Sequence, residues 1–284
     1  MAKSNSYMPD DCKELCKAIQ SVSDRYSIWK IFEDWLAMSA IAISNTVDLY
    51  QFDKREKMYL DIVKKYNAEE LNRLCECLSI LVKTLNTEFN KSGVIDILGK
   101  VFHALNLHNK YHGQFFTPWH ICEFMGMTTF DGSEPSAETV LNKQNYITLL
   151  EPCIGSGGLV LGFCKAMMNK KHNPQRELCV TGVDIDIKCV YMAYLQLSLF
   201  GIPAIIVHGN SLTVEQWSVW KTPAYILGCW DSKTKHKGES YLTYITENKT
   251  KKETVPEDIS ASNEVPPKFD IEYTVNRNGQ MSLF

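Results

Sequence analysis

A glycine turn follows a short apolar run at Glu151–Gly158, which reads EPCIGSGG. Glycines let the chain bend tightly there and let a bulky ligand approach the backbone amides at the start of the next helix. Asp184 lies 27 positions after Gly157 (184 − 157), where a carboxylate can accept hydrogen bonds from ribose hydroxyls. Asn210, within HGNSL, offers an amide that can read the edge of a base. Together these residues predict a site for an adenosine-containing molecule.

The same residues disfavour two other kinds of nucleotide site. A dinucleotide fingerprint, Gly-x-Gly-x-x-Gly, requires a third glycine, but after Gly155 and Gly157 that position is Val160. A phosphate-binding loop requires Gly-Lys-Ser/Thr at the turn, which this turn lacks. A glycine turn by itself is also compatible with a tight strand-to-helix connection that binds no ligand.

Each candidate group stands at the end of a predicted β-strand. Short β-type runs occur at 146–152 (YITLLEP), 178–184 (LCVTGVD) and 204–209 (AIIVHG), with amphipathic helices predicted between them. Alternating strands and helices indicate an α/β fold with a parallel sheet and right-handed crossovers. Ligands of such folds bind beyond the carboxyl ends of the strands, so the three groups are expected to converge.

The chain before this region is predicted to be helical. From about 21 to 109, apolar residues recur at steps of three and four, which is typical of helices in a bundle core. Asn67 and Glu70 form a variant of the capping box, followed by a stripe of apolar residues at Leu71, Leu74, Leu78, Leu81, Val82 and Leu85. The sequence therefore predicts a helical domain at 1–110, an α/β domain at 111–230 and a polar tail at 231–284.

The tail is predicted to be mostly flexible. After Trp230 the composition shifts to Lys, Thr, Glu, Ser and Asn, which bury too little apolar surface to offset the entropy of ordering. Two runs within it, SYLTYIT at 240–246 and KFDIEYTV at 268–275, are candidate strands.

Composition bounds the location and the class of protein. No run approaches the roughly 20 apolar residues that cross a bilayer, and the first residues lack the basic-then-apolar order of a signal peptide. We therefore expect a cytoplasmic protein without a membrane partner. The net charge of −3 argues against a chain that contacts nucleic acid over its whole surface. Phosphate contacts would have to come from a local basic face or from a partner subunit.

The ten cysteines are expected to be reduced thiols. None form a Cys-x-x-Cys pair, and most lie in apolar runs, where a thiol behaves as a small hydrophobic group. Zinc is the alternative, since Cys12 and Cys16, and also Cys75 and Cys77, are close in sequence. No histidine or cysteine partner stands at ligand spacing, so no metal is expected.

Four stretches resemble, in order and spacing, the motifs of amino-group (adenine-specific) DNA methyltransferases, especially the methylation subunits of type I restriction-modification systems. They are GQFFTP at 113–118, EPCIGSGGL at 151–159, VTGVDID at 180–186 and HGNSL at 208–212. The resemblance covers roughly residues 96–212. It implies a Rossmann-like S-adenosylmethionine-dependent methyltransferase fold, in which this short chain would hold a truncated sheet after an N-terminal helical domain.

The resemblance also implies S-adenosylmethionine as the cofactor. Phe116, Thr117 and Pro118 would close over its methionine end. The remaining implied contacts are the cradle at Glu151, Gly155, Ser156 and Gly157, the ribose ligand Asp184, and Asn210 near the adenine ring.

The family's catalytic loop has no clear equivalent. The resemblance implies an Asn/Asp-Pro-Pro-Tyr/Phe loop after a fourth strand, which holds the adenine amine and stacks on a flipped base. The closest stretch by position is TPAY at 222–225, where Thr222 could accept one hydrogen bond and Tyr225 could stack, but Ala224 replaces the second proline. The pair Pro266–Pro267 lies in the polar tail. We therefore expect a degenerate loop, with the catalytic residues unassigned and methyl transfer either lost or dependent on a partner.

The last five residues carry a second resemblance. Gln280, Met281, Ser282, Leu283 and Phe284 resemble the short peptide by which bacterial polymerases and repair proteins dock on the sliding clamp. A flexible arm suits this role, because two apolar anchors can enter a pocket while the glutamine fixes the register. QLSLF also occurs at 196–200, but there it lies on a predicted helix whose apolar residues are expected in the core.

Two functions follow from these patterns. One is an adenine-directed DNA methyltransferase that borrows sequence recognition from another subunit. The alternative is a catalytically inactive binding protein with a methyltransferase fold, recruited to replicating DNA by the clamp. A base-flipping arrangement around Tyr225 favours the first function, and a closed loop there favours the second.

Overall fold

The computed structural model describes residues 9–107, 116–132 and 136–235, and the backbone of 274–275 and 281–282. The chain divides into two compact units, Met1–Thr243 and Tyr244–Phe284. Several sequence predictions fall outside the described residues: Gly113–Phe115 of the GQFFTP motif, the boundary expected near residue 110, the tail at 236–273, and Gln280, Leu283 and Phe284.

A four-stranded mixed sheet forms the centre of the first unit. Its strands are β1 (Ile147–Glu151), β2 (Leu178–Asp184), β3 (Ala204–Asn210) and β4 (Glu215–Lys221), in the spatial order β1-β2-β3-β4. The first three strands are parallel, with Glu151 opposite Gly182 and Asp184 opposite His208. The predicted alternation of strands and helices is thus confirmed, and it gives a Rossmann-like α/β fold.

The fourth strand was not predicted. β4 pairs antiparallel with β3, and a β-bulge between His208 and Gly209 interrupts the register. A bulge shifts side chains to the other face of the sheet, so the apolar residues of EQWSVWK do not alternate strictly.

Two helices connect the parallel strands. α8 (Gly158–Asn169) leads from β1 towards β2, and α10 (Ile187–Leu199) leads from β2 to β3. A single turn, α9 (Pro174–Glu177), directly precedes β2. Leu197 and Phe200 of the internal QLSLF copy are buried, as expected for a helix packed on the sheet.

Seven α-helices and a short 3-10 helix at Leu49–Gln51 precede the sheet within the described ranges. The α-helices are α1 (Lys13–Gln20), α2 (Ile28–Ser44), α3 (Phe52–Val63), α4 (Ala68–Ser92), α5 (Ile97–Ala104), α6 (Trp119–Gly132) and α7 (Ala137–Gln144). The predicted capping box opens α4, where Asn67 and Glu70 exchange hydrogen bonds. Along the predicted α4 stripe, Leu74, Leu81 and Leu85 are buried, but the prediction was wrong for Val82, which is 44% exposed.

Helices α6 and α8 cross in direct backbone contact. A Cβ atom at Gly162 would lie 2.1 Å from the carbonyl oxygen of Cys122, and one at Gly126 would lie 2.3 Å from the carbonyl of Gly162. Only glycine allows this approach at either position, so the crossing fixes the start of α6 against α8.

The two faces of the sheet are covered differently. One face joins the N-terminal helices in a single apolar core that includes Trp35, Phe102, Leu161 and Ile206. The other face is covered by two short helices, α11 (Pro223–Leu227) and α12 (Trp230–Lys235), which pack on Cys179, Val183, Ile205 and Val207. Within the described ranges, the helices lack the combination of length and apolar character that crossing a bilayer requires.

The second unit contains a short antiparallel pair. β5 (Thr274–Val275) pairs with β6 (Met281–Ser282), with Thr274 opposite Ser282 and Val275 opposite Met281. β5 falls in the run at 268–275 that was a candidate strand in the sequence.

Candidate functional site

The glycine turn and the acidic residue of the second strand are in direct contact. Gly155 has a φ of +56°, a conformation that favours glycine, and its backbone N–H donates to Asp184 Oδ2 at 2.8 Å. The other carboxylate oxygen of Asp184 accepts the N–H of Asp186 at 2.9 Å. The carboxylate therefore ties the loop after β1 to the tip of β2.

Burial raises the pKa of Asp184, against the opposing effect of the hydrogen bonds from the amides of Asp186 and Gly155. The lowering influence of His208 and the raising influence of Asp186 are smaller causes. A partly buried carboxylate with spare acceptor capacity is suited to hydroxyl donors such as those of a ribose.

The glycine loop presents few free amides to an anion. Gly157 has a φ of +92°, and its N–H donates to the carbonyl of Ile154 at 2.9 Å. Since the Gly155 amide is held by Asp184, neither amide is available to grip a phosphate in the manner of a phosphate-binding loop.

Phe116 covers the glycine turn. A Cβ atom at Gly155 would lie 3.1 Å from Cδ1 of the Phe116 ring, so the absent side chain leaves room for this contact. Phe116 also packs against Phe102, with ring centroids 4.7 Å apart, and its carbonyl accepts from His103 Nε2 at 3.3 Å. Pro118 accepts the N–H of Ile121 at 2.9 Å, so the residues after Phe116 lead directly into α6.

Thr117 and Pro118 are exposed beside this turn. The Thr117 carbonyl accepts the Cys122 thiol at 3.4 Å, which ties this residue to α6. Glu151, at the end of β1, accepts the N–H of Cys153 at 3.1 Å and shapes the beginning of the loop. The structure thus brings Phe116, Gly155 and Asp184 into contact, with Glu151 on the same loop.

Asn210 lies at the same edge of the sheet but turns towards its own loop. Its Oδ1 accepts the N–H groups of Leu212 at 3.0 Å and Thr213 at 3.3 Å. β3 carries it two residues beyond His208, which is opposite Asp184. His208 Nε2 donates to the Ile185 carbonyl at 3.3 Å and so links the tips of β2 and β3. The tip of β3 is therefore next to that of β2, which separates it from β1, and the side-chain oxygen of Asn210 is already used.

Ser156 faces inward. Its side chain is buried, and its hydroxyl donates to Asp96 Oδ2 at 2.5 Å. Gln196 completes this cluster by donating from Nε2 to Asp96 Oδ1 at 2.9 Å and to the Ser156 carbonyl at 2.7 Å. Sequence reasoning missed Asp96 and Gln196. An aspartate before the helix at Ile97 and a glutamine inside an otherwise apolar helix were the available signals.

The stretch nearest in sequence to a catalytic loop lies at the opposite edge of the sheet. β4 runs antiparallel for seven residues, which at roughly 3.3 Å per residue separates its two ends by about 20 Å. Thr222 therefore meets the amino end of β3, where its N–H donates to the Ala204 carbonyl at 3.0 Å. The Thr222 hydroxyl donates to the Ile202 carbonyl at 2.8 Å and accepts the Ala204 N–H at 2.9 Å.

Tyr225 is also committed to packing. It is 2% exposed within the cluster under α11 and α12, and its hydroxyl donates to Asp231 Oδ1 at 3.0 Å. Burial, followed by the Asp231 carboxylate, raises the pKa of Tyr225. The expectation that Thr222 could receive an amine hydrogen and Tyr225 could stack on a base was therefore wrong: both are buried and far from the glycine loop.

A cleft between helices lies away from the strand tips. This cleft of about 530 Å³ lies beside α1 and α4, lined by charged residues such as Glu14 and Lys83, which pair across it. Across the described part of the chain, no three His, Cys, Asp or Glu side chains cluster as a metal site would require.

Comparisons with solved structures find partial likenesses. A protein described as a class I S-adenosylmethionine-dependent methyltransferase from Listeria monocytogenes is 14% identical, with a TM-score of 0.36, over 72% of this chain and 54% of that one. The methyltransferase subunit of a type I restriction-modification system from Streptococcus thermophilus is 16% identical, with a TM-score of 0.33, over 73% and 59%. A DrdV–DNA complex is 15% identical, with a TM-score of 0.28, over 73% and 27%.

The chain thus spans little more than half the length of the first two structures. A search of curated proteins finds no match. A family model for N-6 DNA methylases, in contrast, matches residues 94–255, which is more than half of the 284 residues. The match includes the glycine loop, Asp184 and Asn210. The chain belongs to the N-6 DNA methylase family.

Proposed function

We propose that this protein binds S-adenosylmethionine at the carboxyl edge of its parallel strands, as the cofactor-binding part of an adenine-directed DNA methyltransferase. The contact between Gly155 and Asp184 is the main support for the proposal. It joins an acidic acceptor to a glycine turn that the Phe116 ring covers. When bound, S-adenosylmethionine supplies an electrophilic methyl group on a sulfonium centre.

The residues present fit this cofactor. Gly155 leaves room for the Phe116 ring to lie against the loop, where it can close over the methionine end, and Asp184 retains acceptor capacity for ribose hydroxyls. The Gly155 and Gly157 amides are used within the protein, which favours a ligand without phosphates. The proposed contact set is Phe116, Thr117, Pro118, Glu151, Gly155, Gly157, Asp184 and Asn210, with Ser156 acting from beneath the loop.

Asn210 would contribute through its amide nitrogen. Its Oδ1 is held by the amides of Leu212 and Thr213, so only Nδ2 remains to donate to an acceptor on the adenine ring. Asn210→Asp would replace this donor by an acceptor while keeping the turn. We expect that variant to bind the cofactor more weakly than Asn210→Ser, which can still donate.

We further propose that methyl transfer depends on a partner chain that supplies the catalytic loop and the DNA contacts. Thr222 and Tyr225 lie at the wrong edge of the sheet, and the net charge of −3 disfavours extensive phosphate contacts by this chain alone. The isolated chain should retain labelled S-adenosylmethionine on a filter but transfer no label to adenine-containing duplex DNA. Robust turnover by the isolated chain would refute dependence on a partner, and failure to retain the cofactor would refute the proposed site.

A second proposal concerns recruitment, and the sequence alone supports it. Gln280–Phe284 would dock on the bacterial sliding clamp, so the protein would act at replicating DNA whether or not it is catalytically active. Deletion of these five residues should abolish co-purification with the clamp. The internal copy at 196–200 provides the control, because its Leu197 and Phe200 are buried and should not support binding once the terminal copy is removed. Unchanged co-purification would end this proposal.

A further inference from the structure

We infer that Asp96, Ser156 and Gln196 are positioning residues that hold the glycine loop in its ligand-binding shape before any ligand arrives. They come from three separated parts of the chain and meet beneath the loop, where all three are buried. The inference rests on the proposed cofactor function, because its consequence for affinity requires that S-adenosylmethionine binds at this loop.

Gln196 uses its whole hydrogen-bonding capacity in this cluster. Its side-chain oxygen, Oε1, accepts the N–H groups of Ile97 at 2.9 Å and Leu98 at 3.0 Å, at the start of α5. Its Nε2 donates to Asp96 and to the Ser156 carbonyl. An amide with two donations and two acceptances has no alternative arrangement at the same position, so it defines one relative placement of α5, α10 and the loop.

Asp96 places a carboxylate directly under the loop. Its Oδ1 accepts the Gly99 N–H at 2.8 Å as the N-cap of α5, and its Oδ2 accepts the Ser156 hydroxyl. A Cβ atom at Gly158 would lie 3.0 Å from Oδ2, so the same carboxylate also sits at the beginning of α8. Asp96 thus lies at the amino ends of two helices, where the helix dipoles and the exposed N–H groups favour an acceptor side chain.

Ser156 connects the buried cluster to the backbone of the loop that faces the ligand. It stands between Gly155 and Gly157, the two loop residues with positive φ, and both its hydroxyl and its carbonyl are held from below. Glycines gain conformational freedom when such restraints are lost, and a preformed loop binds more tightly because less order is lost on binding. Ser156 therefore sets the orientation of the peptide groups that carry the Gly155 amide to Asp184.

The test uses the full chain and begins with Ser156→Ala, which keeps the backbone and removes one hydroxyl. Ser39→Ala is the matched control, since Ser39 is a buried serine on α2 outside the cluster. Hydrogen–deuterium exchange of the unliganded protein should show faster exchange for the segment 153–158 in Ser156→Ala only. Calorimetry should show affinity for S-adenosylmethionine reduced about tenfold in Ser156→Ala, as expected for loss of a hydrogen bond to a charged group.

A conservative change at Asp96 separates positioning from simple stability. Asp96→Asn can still accept from Gly99 and can donate to Ser156, so it should keep the loop protected and the affinity within about threefold of wild type, whereas Asp96→Ala should lose both. Should Asp96→Ala fail to fold, the comparison of Ser156→Ala with Ser39→Ala decides the matter alone.

The outcomes distinguish this inference from the proposed function. If wild type binds the cofactor and Ser156→Ala binds it equally well, the positioning role is overturned. If wild type does not bind, the proposed function fails, and the exchange data alone test the cluster. Faster exchange at 153–158 in Ser156→Ala would then support the positioning role, and unchanged exchange would overturn it.

Discussion

The backbone N–H of Gly155 donates to the carboxylate of Asp184 at 2.8 Å, across 29 residues of sequence. This contact makes the end of β1 and the end of β2 one structural unit. It also leaves a partly buried acid at the edge of the sheet where ligands of α/β folds bind. The proposed function depends on this unit more than on any other pair of residues.

Binding should depend on pH through Asp184. Because burial raises its pKa, this carboxylate takes up a proton at a higher pH than an ordinary aspartate, whose pKa is about 3.9. A protonated acid accepts hydrogen bonds less well, so affinity for S-adenosylmethionine should fall as the pH is lowered from neutral towards that raised pKa. Calorimetric titrations between about pH 7 and about pH 4.5 would measure this fall in affinity. The carboxylate of the cofactor itself stays ionised throughout that range, so it does not contribute to the change.

Asp184→Asn is the companion variant. It should bind weakly at neutral pH and show no further loss over the same range. The folded state binds the Asp184 proton more tightly than the unfolded chain, so ionisation of this group costs stability as the pH rises from the unfolded pKa through the raised folded pKa. Asp184→Asn lacks this ionisation, but its single amide oxygen can accept only one of the Gly155 and Asp186 N–H groups, so its melting temperature at neutral pH should be lower than that of wild type. A wild-type affinity that stays constant down to the acid limit would argue against Asp184 as a ligand.

Tyr225 should behave as a packing residue. Tyr225→Phe removes the hydrogen bond to Asp231, which keeps Lys221 as a partner, so the free energy of unfolding should fall by about 1 kcal/mol. Cofactor affinity should be unchanged, and so should methyl transfer in the presence of any activating partner. Denaturant titration and a labelled-cofactor assay measure the two quantities. A selective loss of methyl transfer in Tyr225→Phe would restore a catalytic role for this residue.

The crossing of α6 and α8 should tolerate no side chain. Gly162→Ala would place Cβ 2.1 Å from the Cys122 carbonyl oxygen, so the helices must separate, at a cost of about 1–3 kcal/mol in the free energy of unfolding. Gly132→Ala, at the end of α6, is the control, because the nearest atom to its Cβ would be 3.9 Å away. Equal denaturation midpoints for the two variants would show that the crossing is looser than described.

Acid should weaken the helical region through Glu70. Arg25, then the Ser23 hydroxyl and the Asn67 amide, lower the pKa of Glu70 to about 2. An unfolded glutamate has a pKa of about 4.3. The stability from this shift is therefore present above about pH 4.3 and is lost as the pH falls from there to about 2.

Glu70→Gln should be less stable than wild type at neutral pH, and the difference should vanish near pH 2. Denaturant unfolding over this pH series measures it. Glu69→Gln is the control on the same turn, since its ion pair with Arg73 is exposed and such pairs contribute little. A constant difference between Glu70→Gln and wild type across the series would contradict the assignment.

The sequence was sufficient for the elements that local patterns define. Three β-type runs separated by amphipathic helices predicted β1–β3 with α8 and α10, and Asn67 with Glu70 predicted the start of α4. Parallel pairing then brought the glycine turn and Asp184 together, because their strands are neighbours. Local periodicity and turn chemistry were enough for these features.

The remaining features depend on long-range contacts. The bulge between His208 and Gly209 disturbs the alternation of β4, so its direction, and with it the location of Thr222 and Tyr225, could not be read from spacing. Asp96 and Gln196 are 100 residues apart, and only the folded chain brings them beneath Ser156. The orientation of Asn210 is likewise set by its own turn, which spacing does not reveal.

Isothermal titration of the 284-residue chain with S-adenosylmethionine tests the central claim most directly, with Asp184→Ala titrated in parallel. Asp61→Ala is the control, because Asp61 is an exposed aspartate on a helix. We expect saturable binding at a single site for wild type and Asp61→Ala, and affinity at least about tenfold weaker for Asp184→Ala. Wild-type binding that Asp184→Ala leaves unaltered, or no binding by the wild-type protein, would contradict that claim.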